Sequence, residues 1–375
     1  MRTTEILIIG GGVIGSSIAY HLARAGREVT LIERADIAVE PSASWASAGG
    51  VRRQGRHRAE VALALESSAR WPMLTDELDA ELGYRRGGNL MLAESEEYAT
   101  RLARFVERQH RNGLADVVLI DQHEVRELAP GVTPEAIAGS FSPADGFADP
   151  VLTTRAFASA AQRHGVRYWT STKCESLIVE DGRVVGAIIS RDRIEAEVTI
   201  LAAGAWSPAL AAGVGLDLSL RIEPLQMIRS TPASSNALKP VLSSLGRKLS
   251  LKQLPSGSFL LGGGWLGDLM DDDSHRLRDE SLTGNWDAAC AVLPRVGEQR
   301  VDRAWCGLEA TTIDDLPLVG PAPNLKSLYL AVGFSGHGFA IAPAIGRAMG
   351  DLIAGKPVPE LDGLLPRRFA DLSAR

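Results

Sequence analysis

Gly10, Gly12 and Gly15 stand at G-x-G-x-x-G spacing between the apolar run Ile6-Leu7-Ile8-Ile9 and a helix-like stretch that begins at Val13 and stops at Gly26. That spacing suits a pyrophosphate. The first glycine permits a tight turn, the second lets phosphates approach the backbone, and the third lets a helix lie close to a strand. The helix N-terminus adds free N–H groups and a positive dipole end. Glu33 closes a second apolar run, Val29-Thr30-Leu31-Ile32, at the place where a carboxylate accepts hydrogen bonds from an adenosine ribose. A strand–turn–helix–strand in that order argues against a glycine-rich turn with no ligand.

Other stretches carry chemistry of the same kind. Pro41 to Arg52 is small, polar and glycine-bearing, able either to wrap a cofactor or to form a plain surface loop. The run Arg52-Arg53-Gln54-Gly55-Arg56-His57-Arg58 is the one basic cluster, either a solvated loop or a face toward an anionic cofactor. Thr199 to Trp206 reads as a buried strand ending in a small-residue turn, and Gly333-Phe334-Ser335-Gly336-His337-Gly338-Phe339 as a second glycine-rich strand–turn–helix. The three cysteines, Cys174, Cys290 and Cys306, form no C-x-x-C pair, so neither a zinc site nor an iron–sulfur relay is indicated, and no metal is expected.

The elements that must position these residues alternate between two kinds. A chain of 375 residues, 45% hydrophobic and 23% charged, is long enough for two cores. A net charge of −6 gives no nucleic-acid surface, and no charge-free run of about 20 apolar residues is present to span a membrane. The sparse, odd cysteine count fits a reducing compartment, and the expected location is cytoplasmic. Periodicity predicts helices over 59–82, 94–112, 151–164, 282–293 and 341–353. Strands are predicted over 117–120, 167–170, 174–180, 184–190, 196–201, 249–254, 258–263 and 328–332, with Asp181-Gly182 as a hairpin turn. The character of the chain changes near 84, 145, 218 and 304. We divide it into a nucleotide-binding domain made of 1–83, 145–217 and 304–375, and a substrate domain made of 84–144 and 218–303.

In order, the fingerprint at Gly10–Gly15, the run Thr199–Trp206 and the closing Gly333–Phe339 together resemble the D-amino-acid oxidase superfamily of FAD enzymes. The superfamily includes glycine and sarcosine oxidases and the flavin subunits of proline, hydroxyproline and opine dehydrogenases. The resemblance covers nearly the whole chain. It implies an α/β fold: a Rossmann-type FAD-binding domain with an interleaved α+β substrate domain built on a mixed β-sheet. It implies that Gly10, Gly12, Val13, Ile14 and Gly15 hold the pyrophosphate, and that Glu33, with Arg34, holds the ribose end. It places Ser42, Ser44, Ala48, Gly49, Gly50, Val51 and Arg52 along the flavin. Ala203, Gly204, Trp206 and Gly307 complete the cofactor wall. Gly333, Ser335, Gly336, His337, Gly338 and Phe339 offer N–H groups to the flavin pyrimidine, where a reduced flavin gathers negative charge.

The departures bear on substrate. Members of the glycine-oxidase kind often carry a carboxylate-gripping arginine where this chain has Glu309, and members of the sarcosine-oxidase kind a lysine where it has Ala340. Either another cation, Arg53 or Lys252, takes a carboxylate, or Glu309 meets an amine or guanidinium, or Glu309 points away into an ion pair. Cys306 stands one residue from the position used for covalent flavin attachment, so noncovalent FAD is expected. The implied reaction removes a hydride from the C–H beside an amine nitrogen of a small amino acid or N-substituted amino acid, leaving an imine. His337, Arg52 and Glu309 are the candidate catalytic residues, and His337 alternatively only holds its turn. His57 and Tyr84 are further candidates at the substrate. The compact length and the absent lysine and arginine favour a dehydrogenase subunit that passes electrons to a partner subunit or carrier in a hetero-oligomer. The alternatives are an oxygen-using oxidase, a 2-hydroxy-acid dehydrogenase, and a non-catalytic flavin scaffold.

Overall fold

A computed structural model describes residues 2–190, 192–235, 238–270 and 274–372. The apolar run near the N-terminus forms the strand Arg2–Ile9, the centre of an eight-stranded first sheet. It pairs in parallel with Val29–Ile32 on one side and with Asp192–Leu201 on the other. Leu328–Val332 adds beside Asp192–Leu201, and Arg167–Trp169 beside Val29–Ile32, both in parallel. The hairpin Cys174–Glu180 and Arg183–Ile189 is antiparallel and turns at Asp181-Gly182, both at positive φ as expected. Both faces of the sheet are covered, as parallel strands require. Ile6 and Ile8 pack with Ile18, Phe157, Ile341 and Ile345, whereas Leu7 and Ile9 pack with Leu177, Val184 and Leu330.

A second eight-stranded sheet runs in the order 301–311, 221–232, 258–262, 250–253, 241–244, 89–93, 138–142, 118–121. Its only parallel pair among the described residues is Val241–Ser244 with Asn89–Ala93, so the sheet is mixed. One face is apolar: Leu90, Ile228, Leu242, Leu251 and Leu261 cluster with Ala289 and Val292 of the helix Asp279–Val292. Strand periodicity turns their neighbours Lys252, Met227, Trp305 and Glu309 to the opposite face. Two of these touch the loop after the first helix pair. Trp305 Nε1 donates to the Ala46 carbonyl at 3.2 Å, and Lys252 Nζ donates to the Ala48 carbonyl. The two layers therefore meet around residues 42–50.

Three expected helices are corrected. The helix predicted over 59–82 is broken, because Pro72 has no N–H to donate. Arg58–Arg70 passes through the tight turn Trp71–Met73 into the short helix Leu74–Leu78. The helix expected from 282 begins earlier, at Asp279, and the closing helix begins at Gly338 rather than 341. Val301–Thr311 is one continuous strand of the second sheet, so the boundary drawn between 303 and 304 passes through it. The chain rejoins the first sheet only at Leu318–Pro321. No helix among the described residues is long and apolar enough to cross a membrane.

Candidate active site

The glycine fingerprint folds as its spacing requires. Gly10 adopts φ +110°, and a Cβ there would strike Ala202. A Cβ on Gly15 would collide with the Gly10 carbonyl, which is how closely the helix Val13–Arg24 lies against the strand. Gly12 caps that helix without a side chain, and Val13 and Ile14 form its buried first turn. Gly11 N–H donates to Glu33 Oε2 at 2.7 Å, and Ala35 N–H to Oε1 at 3.0 Å. Val13 N–H donates to Ser44 Oγ at 2.9 Å. Arg34 stacks its guanidinium 4.5 Å from the Trp206 ring centroid, so those two residues, far apart in sequence, share one wall.

The loop from 42 to 52 closes round the same space. Ser42 is a structural residue, its oxygen capping the helix Ala43–Ala46 and its O–H donating to the Val39 carbonyl. Gly49 allows close approach of the Ala148 carbonyl. Gly50 and Val51 pair with Phe147 and Gly146. Gly307 lets the second sheet pack against this loop, because a Cβ there would collide with Ala46.

The closing loop supplies the opposite wall. Gly333, Ser335 and Gly336 all adopt positive φ. Ser335 is tied in by its N–H to the Ala310 carbonyl and by accepting the Thr312 N–H. His337 is the N-cap residue of the helix Gly338–Ile353, and Phe339 packs 5.1 Å from the Trp71 ring. Ala203 receives the Trp206 N–H in the facing turn. A Cβ on Gly50, Gly204 or Gly336 would meet no protein atom within 4 Å. These glycines leave open space between a pyrophosphate-type turn and a helix N-terminus, so the residues present fit a flat, anionic dinucleotide cofactor.

The basic run resolves into distinct tasks. Arg53 is not a free substrate cation. Its Nη2 donates to Asp116 at 2.6 Å, and its Nε and backbone N–H reach the fully buried Asp145. His57 is exposed and caps the helix Arg58–Arg70 through Ala59 N–H, which removes it from the site. Arg52 makes no side-chain hydrogen bond or ion pair among the described residues, and burial lowers its pKa, partly offset by Asp145 and Glu60. Arg56 is 6% exposed, donates from Nε to the Arg52 carbonyl, and leaves Nη1 buried without a partner. Burial and the neighbouring Arg52 push Arg56 down to about 10.

Four further titratable groups are candidates for the site. His337 Nδ1 lies 3.1 Å from Glu60 Oε2. Burial and Arg56 hold the imidazole below its usual range, against the pull of Glu60. Tyr84 stacks on Trp71 with ring centroids 5.6 Å apart, and its buried hydroxyl has no partner. Lys252 Nζ sits 4.2 Å from the Phe147 ring centroid, and burial pushes it down to about 7. Glu309 is pushed up to about 7, chiefly by burial and further by Glu223, while the Gly336 N–H pulls it back. Cys306 alternates to the other face of its strand, donates to the Arg276 carbonyl, and is raised to about 11 by burial.

The sequence reading takes Arg56 only as part of the basic run, and misses Glu60 and Asp145 as site residues. A signal for Glu60 existed: it shares the buried face of its helix with Leu63, Ala64 and Ser67, at helical spacing.

The chain matches the family model described as FAD dependent oxidoreductase over residues 5–352. It is 28% identical over 369 residues to the glycine oxidase of Bacillus licheniformis, covering 94% of each chain. It is 26% identical to the mitochondrial dimethylglycine dehydrogenase of Rattus norvegicus, where it spans 97% of its own length and 45% of that protein. The crystal structure of L-proline dehydrogenase from P. horikoshii superposes with a TM-score of 0.91 at 29% identity, covering 99% of this chain and 98% of that one. The chain therefore belongs to the DAO family of FAD-dependent oxidoreductases, and its glycine turns and helix N-termini are of the kind that such a cofactor requires.

Proposed function

We propose that this enzyme oxidises the C–N bond of a small amino acid or N-substituted amino acid, and that it acts as a dehydrogenase whose electrons pass to a partner subunit or carrier. FAD, when bound, accepts the hydride that leaves the carbon beside the nitrogen. The observation that carries the reading is the pair Arg52 and Arg56. Arg56 is buried and Arg52 half-buried in the loop that follows the flavin-lining segment, and neither guanidinium has a hydrogen-bonded carboxylate. Buried cations call for an anion. A substrate carboxylate supplies one and fixes the orientation of the reacting carbon.

The same cations address the nitrogen. An ammonium cannot release a hydride from its neighbouring carbon, so the amine must be neutral. Two guanidinium groups near the bound amine lower its pKa and favour that neutral form. The depressed His337 reports the same field. His337, with Nδ1 donating to Glu60, holds the turn from which the helix Gly338–Ile353 starts. The likeness to two dehydrogenases, one over nearly its full length, supports the choice of acceptor.

Anaerobic bleaching of the flavin absorbance over a panel of glycine, sarcosine, D- and L-proline, hydroxyprolines, opines and 2-hydroxyglutarate tests the proposal. Bleaching by an amine with slow recovery in air is the expected result. Fast recovery makes the enzyme an oxidase, and bleaching only by the hydroxy acid overturns the amine reading.

A further inference from the structure

We propose that Glu309, with Glu223 beside it, seats a second cationic centre of the substrate, so that the enzyme takes amino acids or N-substituted amino acids bearing an ammonium or guanidinium beyond the reacting nitrogen. The inference rests on the amine-oxidising reading above. Glu223 and Glu309 are directly opposed in the antiparallel pair 221–232 and 301–311. Directly opposed residues place their Cβ atoms about 5 Å apart on one face, and like charges there are destabilising. Glu309 has no ion pair among the described residues. Among the described residues Glu223 has one ion-pair partner, Arg221, 4.0 Å away and 66% exposed at its side chain.

The placement of this carboxylate pair points to a ligand. Trp305, Gly307 and Glu309 alternate onto the face that meets the cofactor loop. Trp305 binds the Ala46 carbonyl, Gly307 abuts Ala46, and Glu309 comes next, beside the Gly336 N–H. In the same glycine loop His337 feels the charge of Arg56, whose Nη1 is buried and unpartnered. One ligand with a carboxylate for the arginines and a cation for Glu309 satisfies both ends. That cation is not the reacting nitrogen, which must be neutral when hydride leaves. It is a separate, permanently charged group. Burial that raises Glu309 is relieved by such a group, which restores the ionised carboxylate.

The test uses the holoenzyme and pairs of amino acids of matched length with and without a terminal cation: lysine against norleucine, and arginine against citrulline, each free and N-methylated. Flavin-reduction rates are measured anaerobically and kcat/KM with an artificial acceptor. The expected result is a preference of roughly tenfold or more for the cationic member, of the size that charge-assisted hydrogen bonds supply. Glu309→Gln brings that ratio close to one, and Glu223→Gln, on the neighbouring strand, reduces it less. Equal rates within the pairs, or a ratio that survives Glu309→Gln in a flavin-loaded variant, overturns the inference and leaves the amine reading standing. If Glu309→Gln loses its flavin, the wild-type ratio and Glu223→Gln decide. Failure of every amine to bleach the flavin overturns the amine reading, and this inference with it.

Discussion

His337 Nδ1 lies 3.1 Å from the carboxylate of Glu60, and Glu60 is completely buried. The pair joins the loop of the flavin site to the helix Arg58–Arg70. Glu60 also bears on both unpaired arginines, Arg52 and Arg56. One carboxylate therefore helps, with Asp145, to offset both cations and anchors the turn at the start of the closing helix.

Removing it should be costly. Glu60→Ala takes a compensating charge from both guanidinium groups and leaves them Asp145, and breaking a buried pair from one side costs about 3–5 kcal/mol. Thermal or denaturant unfolding of Glu60→Ala should show a large loss. Glu60→Gln, which retains a hydrogen bond to His337, should lose less. Equal, small losses in both variants would contradict the role given to the charge.

Lys252 gives a pH signature. Its folded-state value is pushed down to about 7 from an ordinary 10.5. Between those values the unfolded chain binds the extra proton, so this residue's contribution to stability rises with pH across that window. Lys252→Met should unfold at higher temperature than wild type near pH 7, with the gap closing toward pH 10. A gap that stays constant with pH would refute the assignment.

Glu309 gives the opposite sign. Its folded-state value is raised to about 7 from 4.5. The folded protein therefore holds the proton that the unfolded chain has released, and stability falls as pH rises through that window. Glu309→Gln should match wild type near pH 4.5 and exceed it above pH 7. Melting temperatures across pH 4.5 to 8, without substrate, measure this directly.

Gly336 separates cofactor binding from folding. It adopts φ +76°, and a Cβ would meet no protein atom. The backbone penalty for alanine at a left-handed position is about 1–2 kcal/mol, whereas the new methyl group would enter the space assigned to FAD. Gly336→Ala should fold with a modestly lower melting temperature and a much reduced ratio of flavin to protein absorbance. Full flavin content would move the cofactor away from this loop.

The fingerprint glycines, Glu33 and the closing glycine loop were legible in the sequence because local backbone geometry dictates them. Gly10 and Gly336 need positive φ, and Glu33 ends a strand beside the turn that it binds. The roles of Arg52 and Arg53 were not legible. The two are adjacent and identical, and what distinguishes them is Asp145, 92 residues away, which captures Arg53. The packing role of Gly307 was hidden for a similar reason. Its neighbour is Ala46, from the other layer, and nothing in the pattern of its own strand announces that approach. Periodicity tells which face a residue occupies, but the partner on that face is set by tertiary structure.

The strand Arg2–Ile9 lies beside Asp192–Leu201, which lies beside Leu328–Val332. The first glycine turn leaves the ribosome more than three hundred residues before the closing loop, Gly333 to Phe339. The two glycine turns therefore come together only after that whole interval has been made. The nascent chain must keep its apolar first strand covered by other means until residues more than three hundred positions downstream arrive, and such long-range pairing is slow and exposed to aggregation.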